Sequence, residues 1–112
     1  MKSVHISNAP LKDTPHKVEV RQMYSQPDAQ VMQITLQPGE SLKPHKTPVD
    51  VFFYVLEGDP TVHIGEEAIV FPKDTLIESP KEIVHYISNQ SNGPARILVV
   101  KTPNPQGTTR VL

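Results

Sequence analysis

The stretch from Gly39 to Gly58, GESLKPHKTPVDVFFYVLEG, decides the fold of this 112-residue chain. Its second half contains six apolar residues in a row, Val51 to Leu56. A strand that is apolar on both faces is usually covered on both faces. Glycines that favour turns bracket the stretch, so we predict a short buried strand in the middle of the chain.

The segments on either side of this strand alternate between apolar and polar residues. Within Gln30 to Gln37, the side chains of Met32, Ile34 and Leu36 share one face, which is typical of a half-buried strand. Twelve prolines are spread along the chain, and proline interrupts helices and central strands alike. Roughly eight or nine short strands at this spacing predict an all-β fold, either a sandwich or a barrel.

The composition is that of an ordinary globular protein, with 37% apolar residues, 21% charged residues and a net charge of −1. The absence of cysteine excludes thiol chemistry and disulfides. No cluster of basic residues points to a nucleic acid partner, and no apolar run is long enough to span a membrane. Because the first residues lack the apolar run of a signal peptide, we expect a cytoplasmic protein.

The length fits one domain, and no internal repeat or linker divides it. We predict a single domain over residues 1–112. Its core barrel covers about residues 17–102, between an N-terminal arm over 1–16 and a C-terminal tail over 103–112. The tail is rich in proline, glycine and threonine, although its last two residues could dock on the barrel.

The first stretch resembles the first motif of the cupin family. That motif is Gly, five residues, His, one residue, His, three or four residues, Glu, six residues and Gly. Gly39, His45 and Gly58 fall in register with it. Thr47 stands at the position of the second His, and Val51 stands at the position of the Glu.

A second stretch, DTLIESPKEIVHYISN from Asp74 to Asn89, resembles the second cupin motif. That motif is Gly, five residues, Pro, one residue, Gly, two residues, His, three residues and Asn. Pro80, His85 and Asn89 match, whereas Asp74 and Glu82 replace the two glycines. The two motifs in this order imply a cupin-type double-stranded β-helix, a barrel similar to a jelly roll.

The resemblance also implies a divalent metal ion at the barrel mouth, usually bound by three histidines and one glutamate. Imidazole and carboxylate ligands suit Fe, Mn, Ni and Zn. Only His45 and His85 remain of this set. A third ligand could come from Asp50, if a one-residue bulge turns it inward, or from Glu78. His63 is a further candidate, although alternation places it outward, and Asp50 also suits a turn residue that caps backbone N–H groups.

Further pocket residues follow from the register of the resemblance. It turns Val51 and Phe53 inward, which predicts a rather apolar barrel mouth. Glu78 stands where similar cupins usually carry an apolar residue. We therefore take Thr47, Val51, Phe53 and Glu78 as candidate pocket residues beside the two histidines.

Two functions remain open at this point. A small metal-dependent enzyme would act on a small polar organic molecule, with the metal as Lewis acid or oxygen activator. The retention of His45 and His85 favours that function. A non-enzymatic cupin would bind a small ligand as a sensor or carrier, and the loss of two of the four usual ligands favours this alternative. In both cases we expect a homodimer, because residues 51–56 and 96–101 are more apolar than the interior of one small barrel requires.

Overall fold

The alternating segments form short strands joined by tight turns. The computed structural model describes residues 1–105 and the backbone of residues 110 and 111, so the rest of the predicted tail lies outside the described residues. A 3-10 helix over Ile6–Asn8 precedes the first strand. The strands are β1 (Glu19–Gln26), β2 (Ala29–Leu36), β3 (His45–Lys46), β4 (Asp50–Glu57), β5 (Thr61–Ile64), β6 (Glu67–Val70), β7 (Leu76–Ser79), β8 (His85–Ser88), β9 (Ala95–Thr102) and β10 (Arg110–Val111).

These strands make two five-stranded antiparallel sheets. One sheet has the order β1-β2-β9-β4-β7 and the other has the order β10-β3-β8-β5-β6. The predicted all-β class is confirmed, and the arrangement is that of the double-stranded β-helix. Two strands that the sequence did not predict, β3 and β10, have two residues each, which is too short to show a period of two. In the part of the chain that the structure describes, no helix is long and apolar enough to cross a membrane.

Strand β4 supplies the centre of the core. Val51, Phe53 and Val55 are buried and share its inner face. The strand pairs with β9 on one side and with β7 on the other. The remaining members of the buried apolar cluster are Val20, Ile34, Leu36, Leu42, Val62, Ile77, Ile87, Ala95, Ile97 and Val99.

The N-terminal arm folds back along β1 and ends beside the barrel mouth. The backbone N–H of Gln22 donates to the carbonyl of Pro10 at 2.9 Å. The Arg21 guanidinium donates to the carbonyl of Ala9, also at 2.9 Å, and Ala9 is buried. These contacts hold the arm in place, so that residues 14–16 line a cavity between the two sheets.

The outer face of β4 is less covered than its inner face. Phe52 and Tyr54 are half-buried, and Tyr54 pairs with half-buried Leu98 on β9. On the other side of β4, Leu76 on β7 is exposed. Within one chain, the expectation of a strand covered on both faces is therefore met only on the inner face.

We predict that this outer face forms a homodimer, because a second copy would cover apolar side chains that one chain leaves accessible to water. Leu98→Lys would place a charge in the middle of the face and should convert the dimer to a monomer. Ile69→Lys changes an exposed residue on the distant edge strand β6 and should leave the dimer intact. Light scattering coupled to size-exclusion chromatography measures both variants. A wild-type monomer at micromolar concentration would contradict the prediction.

Candidate functional site

Two histidines from neighbouring strands face each other inside the barrel. His45 on β3 pairs directly with His85 on β8. Their ring centroids are 4.6 Å apart and the rings are nearly perpendicular. Phe53 packs edge-on against His85, with centroids 5.3 Å apart. The fold thus brings together the two histidines that the sequence motifs selected, and it places Phe53 beside them.

These side chains line a cavity of about 250 Å³ between the two sheets. Most of its wall is apolar, and four nitrogen-bearing side chains share the lining. The lining residues are Thr14, Pro15, His16, Val20, Met32, Ile34, Leu42, His45, Phe53, His85, Val99 and Lys101. A small apolar cavity with a few convergent polar groups is the usual form of a ligand site.

A third histidine, His16, reaches this cavity from the N-terminal arm. Its ring centroid lies 4.8 Å from that of His45. The backbone N–H of Lys43 donates to Nδ1 of His16 at 2.8 Å, so the neutral ring carries its proton on Nε2. Burial lowers the pKa of His16 to about 4, with smaller effects from the charges of His45, Lys101 and Lys43. The sequence did not point to His16, because no local pattern in the arm predicts a contact 27 residues away.

His45 has the opposite tautomer. Its Nδ1 lies 2.7 Å from the carbonyl oxygen of Lys43. A carbonyl only accepts, so Nδ1 donates the hydrogen and Nε2 of the neutral ring is unprotonated. Burial lowers the pKa of His45, the hydrogen bond to Lys43 raises it by less, and the charge of Lys101 lowers it further.

His85 is held between two hydroxyl groups. The Oγ of Ser79 lies 2.6 Å from its Nδ1, and the Oγ1 of Thr47 lies 3.3 Å from its Nε2. The side chain is only 2% exposed. Burial lowers the pKa of His85 to about 3, and the neighbouring basic groups contribute less. Thr47 stands where the family motif has a ligand, but here it is a hydrogen-bond partner of His85.

Lys101 is the fourth nitrogen-bearing side chain of the cavity. It shares the inner face of β9 with Ile97 and Val99, and it pairs with Val51 across the sheet. Burial lowers the pKa of Lys101. The sequence did carry a signal for this residue, because a period of two that continues from Val99 places Lys101 inward.

Asp50 does not join the histidines. Its side chain is exposed, and its Oδ1 accepts a hydrogen bond from the backbone N–H of Lys81 at 2.9 Å. Strands β4 and β9 pair in unbroken register from Asp50 to Val55, and the register shift lies at the far end, between Val55 and Glu57. The bulge that would turn Asp50 inward is therefore not at this end of β4. Asp50 caps a backbone N–H instead.

The four predicted pocket residues take different places. Phe53 lines the cavity. Thr47 and Val51 are buried, Thr47 against His85 and Val51 in the apolar cluster. Glu78 is exposed on the outer face, where it pairs with Phe52, so its carboxylate does not reach the two histidines.

His63, the remaining ligand candidate, lies on the outer face of the second sheet. Its ring stacks on that of Tyr86, with centroids 3.9 Å apart. Its Nε2 forms a hydrogen bond of 2.9 Å with the hydroxyl of Ser88. His63 therefore makes its contacts outside the cavity and does not join His45 and His85.

Two facing antiparallel sheets around a small histidine-lined cavity define a class of β-barrel proteins with an internal cavity. The sequence model of the Cupin domain family matches residues 32–101. The chain belongs to this family, as its two motifs predict. A comparison with curated proteins gives no match.

Solved structures show the same fold over nearly the whole chain. A protein from Thermus thermophilus is 26% identical with a TM-score of 0.80, and the match covers 94% of this chain and 100% of that one. The polyketide cyclase RemF from Streptomyces resistomycificus is 18% identical with a TM-score of 0.85, covering 100% and 85%. A predicted oxalate decarboxylase from Thermotoga maritima is 18% identical with a TM-score of 0.79, covering 90% and 99%.

Cupins commonly bind divalent metal ions. Whether the side chains of this cavity could coordinate one depends on which of their nitrogen atoms are unprotonated. A ligating histidine offers one unprotonated nitrogen while the other donates to an oxygen. His45 meets this condition. His16 does not, because its Nδ1 accepts a hydrogen bond and its Nε2 is protonated, and both nitrogens of His85 contact hydroxyls. Within residues 1–105, no three His, Asp or Glu side chains are grouped to hold a metal ion. These side chains do not fit the four-ligand centre of the family.

Proposed function

We propose that this protein is a non-enzymatic cupin that binds a small organic molecule in the barrel cavity. The observation that carries the proposal is the cavity of about 250 Å³, whose histidines are arranged as hydrogen-bonding groups. His16 offers an Nε2–H donor and His45 offers an unprotonated Nε2. A ligand can therefore be oriented by hydrogen bonds without a metal ion.

The apolar wall of the cavity would supply most of the affinity. Met32, Val99 and Phe53 line the cavity beside the polar groups, so the body of a ligand would leave water and contact side chains that are already ordered. Burial of apolar surface contributes roughly 25 cal/mol per Å². A preformed cavity keeps the loss of conformational entropy on binding small.

A variant that fills the cavity tests the proposal. Met32→Trp adds bulk inside the cavity, whereas Met23→Trp adds the same bulk at a half-buried residue that does not line it. We expect calorimetry with hexanoate, hexanol and hexylamine to detect binding of at least one probe to the wild type. Met32→Trp should weaken that binding about tenfold or more, and Met23→Trp should not. Equal binding by wild type and Met32→Trp would refute the cavity as the site.

A metal-dependent enzyme is the second candidate, favoured by the unprotonated Nε2 of His45. Elemental analysis of protein purified without chelator distinguishes the two functions. We expect metal well below one ion per chain, unchanged in the His45→Ala/His85→Ala double variant. A near-stoichiometric Fe, Mn, Ni or Zn content that falls in the double variant would instead support the enzyme.

A further inference from the structure

We propose that the ligand of this cavity is a small organic anion, a monocarboxylate with an apolar body, whose carboxylate contacts Lys101 and the Nε2–H of His16. This inference rests on the proposed function, because it names the chemical class that the same cavity would accept. It goes beyond that function by assigning specificity to two residues outside both cupin motifs.

The charge of the lining favours an anion. Among the described residues that line the cavity, none has an acidic side chain, and Lys101 has a basic one. Lys101 lines the same cavity as His16, His45 and His85, and its charge lowers the pKa of all three rings. An anion placed among these groups would meet a positive potential, and an ammonium ligand would be repelled.

The direction of the hydrogen bonds favours a carboxylate in particular. Because Lys43 fixes the tautomer of His16, the neutral ring presents a donor rather than an acceptor at Nε2. A carboxylate only accepts, so it matches this donor and the ammonium of Lys101. Hydrogen bonds that involve a charged group are about twice as strong as neutral ones.

The position of Lys101 on β9 places the charged part of the cavity wall at one end and the apolar part at the other. Along the inner face of β9, burial increases from half-buried Lys101 to Val99, which is 7% exposed, and then to fully buried Ile97. The charged group therefore lies nearer the mouth, and the apolar side chains lie deeper. A carboxylate at the mouth with a hydrocarbon tail below it has this order of polarity.

The volume limits the size of the ligand. A cavity of about 250 Å³ has room for roughly eight water-sized groups, at about 30 Å³ for each water in the liquid. Hexanoate, with eight non-hydrogen atoms by its formula, is of the order of the cavity's capacity. Hexanol and hexylamine have similar tails, with a neutral and a cationic head group, so they are matched probes.

Isothermal titration calorimetry of the three probes tests the inference. For the wild type we expect hexanoate to bind about tenfold or more tightly than hexanol, and hexylamine to bind most weakly. Lys101→Met keeps an unbranched side chain that is one atom shorter and removes its charge. It should weaken the binding of hexanoate about tenfold or more and change the affinity for hexanol by less than about threefold. Lys73→Met, at an exposed turn, is the control and should change neither.

The outcomes separate this inference from the function on which it rests. Hexanol binding as tightly as hexanoate, or hexanoate binding unchanged in Lys101→Met, would overturn the assignment of an anion while leaving a ligand cavity in place. No binding of any probe would overturn the ligand-binding function as well. If circular dichroism shows that Lys101→Met is unfolded, the order of the three probes on the wild type decides the matter.

Discussion

Between pH 7 and pH 4 the protein is expected to lose several kcal/mol of stability, and His85 is expected to account for much of the loss. The folded chain keeps His85 nearly free of solvent, which lowers its pKa to about 3 from the ordinary value of 6.5. Below pH 6.5 the unfolded chain therefore takes up a proton that the folded chain does not. The stabilisation is complete above pH 6.5 and is lost as the pH falls towards 3. One pKa unit is worth about 1.4 kcal/mol, so the effect is large for a domain of this size.

Urea unfolding at a series of pH values measures this effect. His85→Gln removes the ionisable group and should flatten the fall in stability between pH 6.5 and pH 4. His16→Gln should flatten it by a similar amount down to pH 4 and by less below pH 4, because burial lowers the pKa of His16 only to about 4. His5→Gln, at an exposed residue of the arm, is the control variant. Parallel curves for the wild type and His85→Gln would show that the buried histidine is not the cause.

Gly58→Ala is expected to destabilise the fold by about 3 kcal/mol or more. Gly58 has a φ of +82°, and a Cβ atom there would overlap the carbonyl oxygen of Pro94 and lie 2.9 Å from the Cα of Ala95. The left-handed conformation costs an alanine roughly 1–2 kcal/mol. The overlap adds to this cost, since overpacking typically costs about 1–3 kcal/mol and the overlapping atoms belong to the backbone.

Gly39→Ala is the matched control. Gly39 also has a left-handed φ, +87°, but a Cβ atom there would have no neighbour within 4 Å. Only the conformational cost remains, so we expect a loss of about 1–2 kcal/mol. Chemical denaturation of both variants gives the comparison. Equal losses would mean that the contact with Pro94 and Ala95 relaxes freely.

The sequence predicted the fold well because its motif residues make contacts that join the two motifs to each other. The N–H of Gly39 donates to the carbonyl of Asn89 at 2.8 Å, so the two motifs are bonded directly to each other. The side-chain amide of Asn89 also donates to the carbonyls of Leu36 and Gly93. Such contacts depend on residue type and spacing, which a single sequence displays.

The lining of the cavity could be predicted only in part. His45 and His85 line it and lie within the motifs, and Phe53 lines it as the register of the cupin resemblance predicts. His16 was missed, since its place depends on how the N-terminal arm folds back. For Asp50 the sequence leaves two roles open, a ligand after a β-bulge and a cap of backbone N–H groups, and the structure shows the cap. The position of a β-bulge depends on cross-strand pairing that the local sequence does not encode.

The replacements at positions 47 and 51 place a hydroxyl and an apolar side chain where the cupin motif has metal ligands. Thr47, which replaces the second histidine of the motif, forms a hydrogen bond with His85. Val51, which replaces the glutamate, belongs to the buried apolar cluster. His85 thereby keeps both nitrogens hydrogen-bonded in a buried site, which satisfies a polar group that would otherwise be costly to bury. The three histidines of the cavity differ in their hydrogen-bond partners, and His16 and His45 also differ in tautomer.

The most direct test of the ligand cavity is an NMR titration of protein labelled at the methionine methyl groups. The chain has three methionines. Met32 lines the cavity and Met23 does not, so one sample contains both the probe and its control. Hexanoate, hexanol and hexylamine are added in turn. We predict that at least one of them, with hexanoate the strongest, shifts the Met32 methyl signal to saturation and leaves Met23 in place. A Met32 signal that none of the three moves, or that moves only as far as Met23, would contradict the ligand cavity.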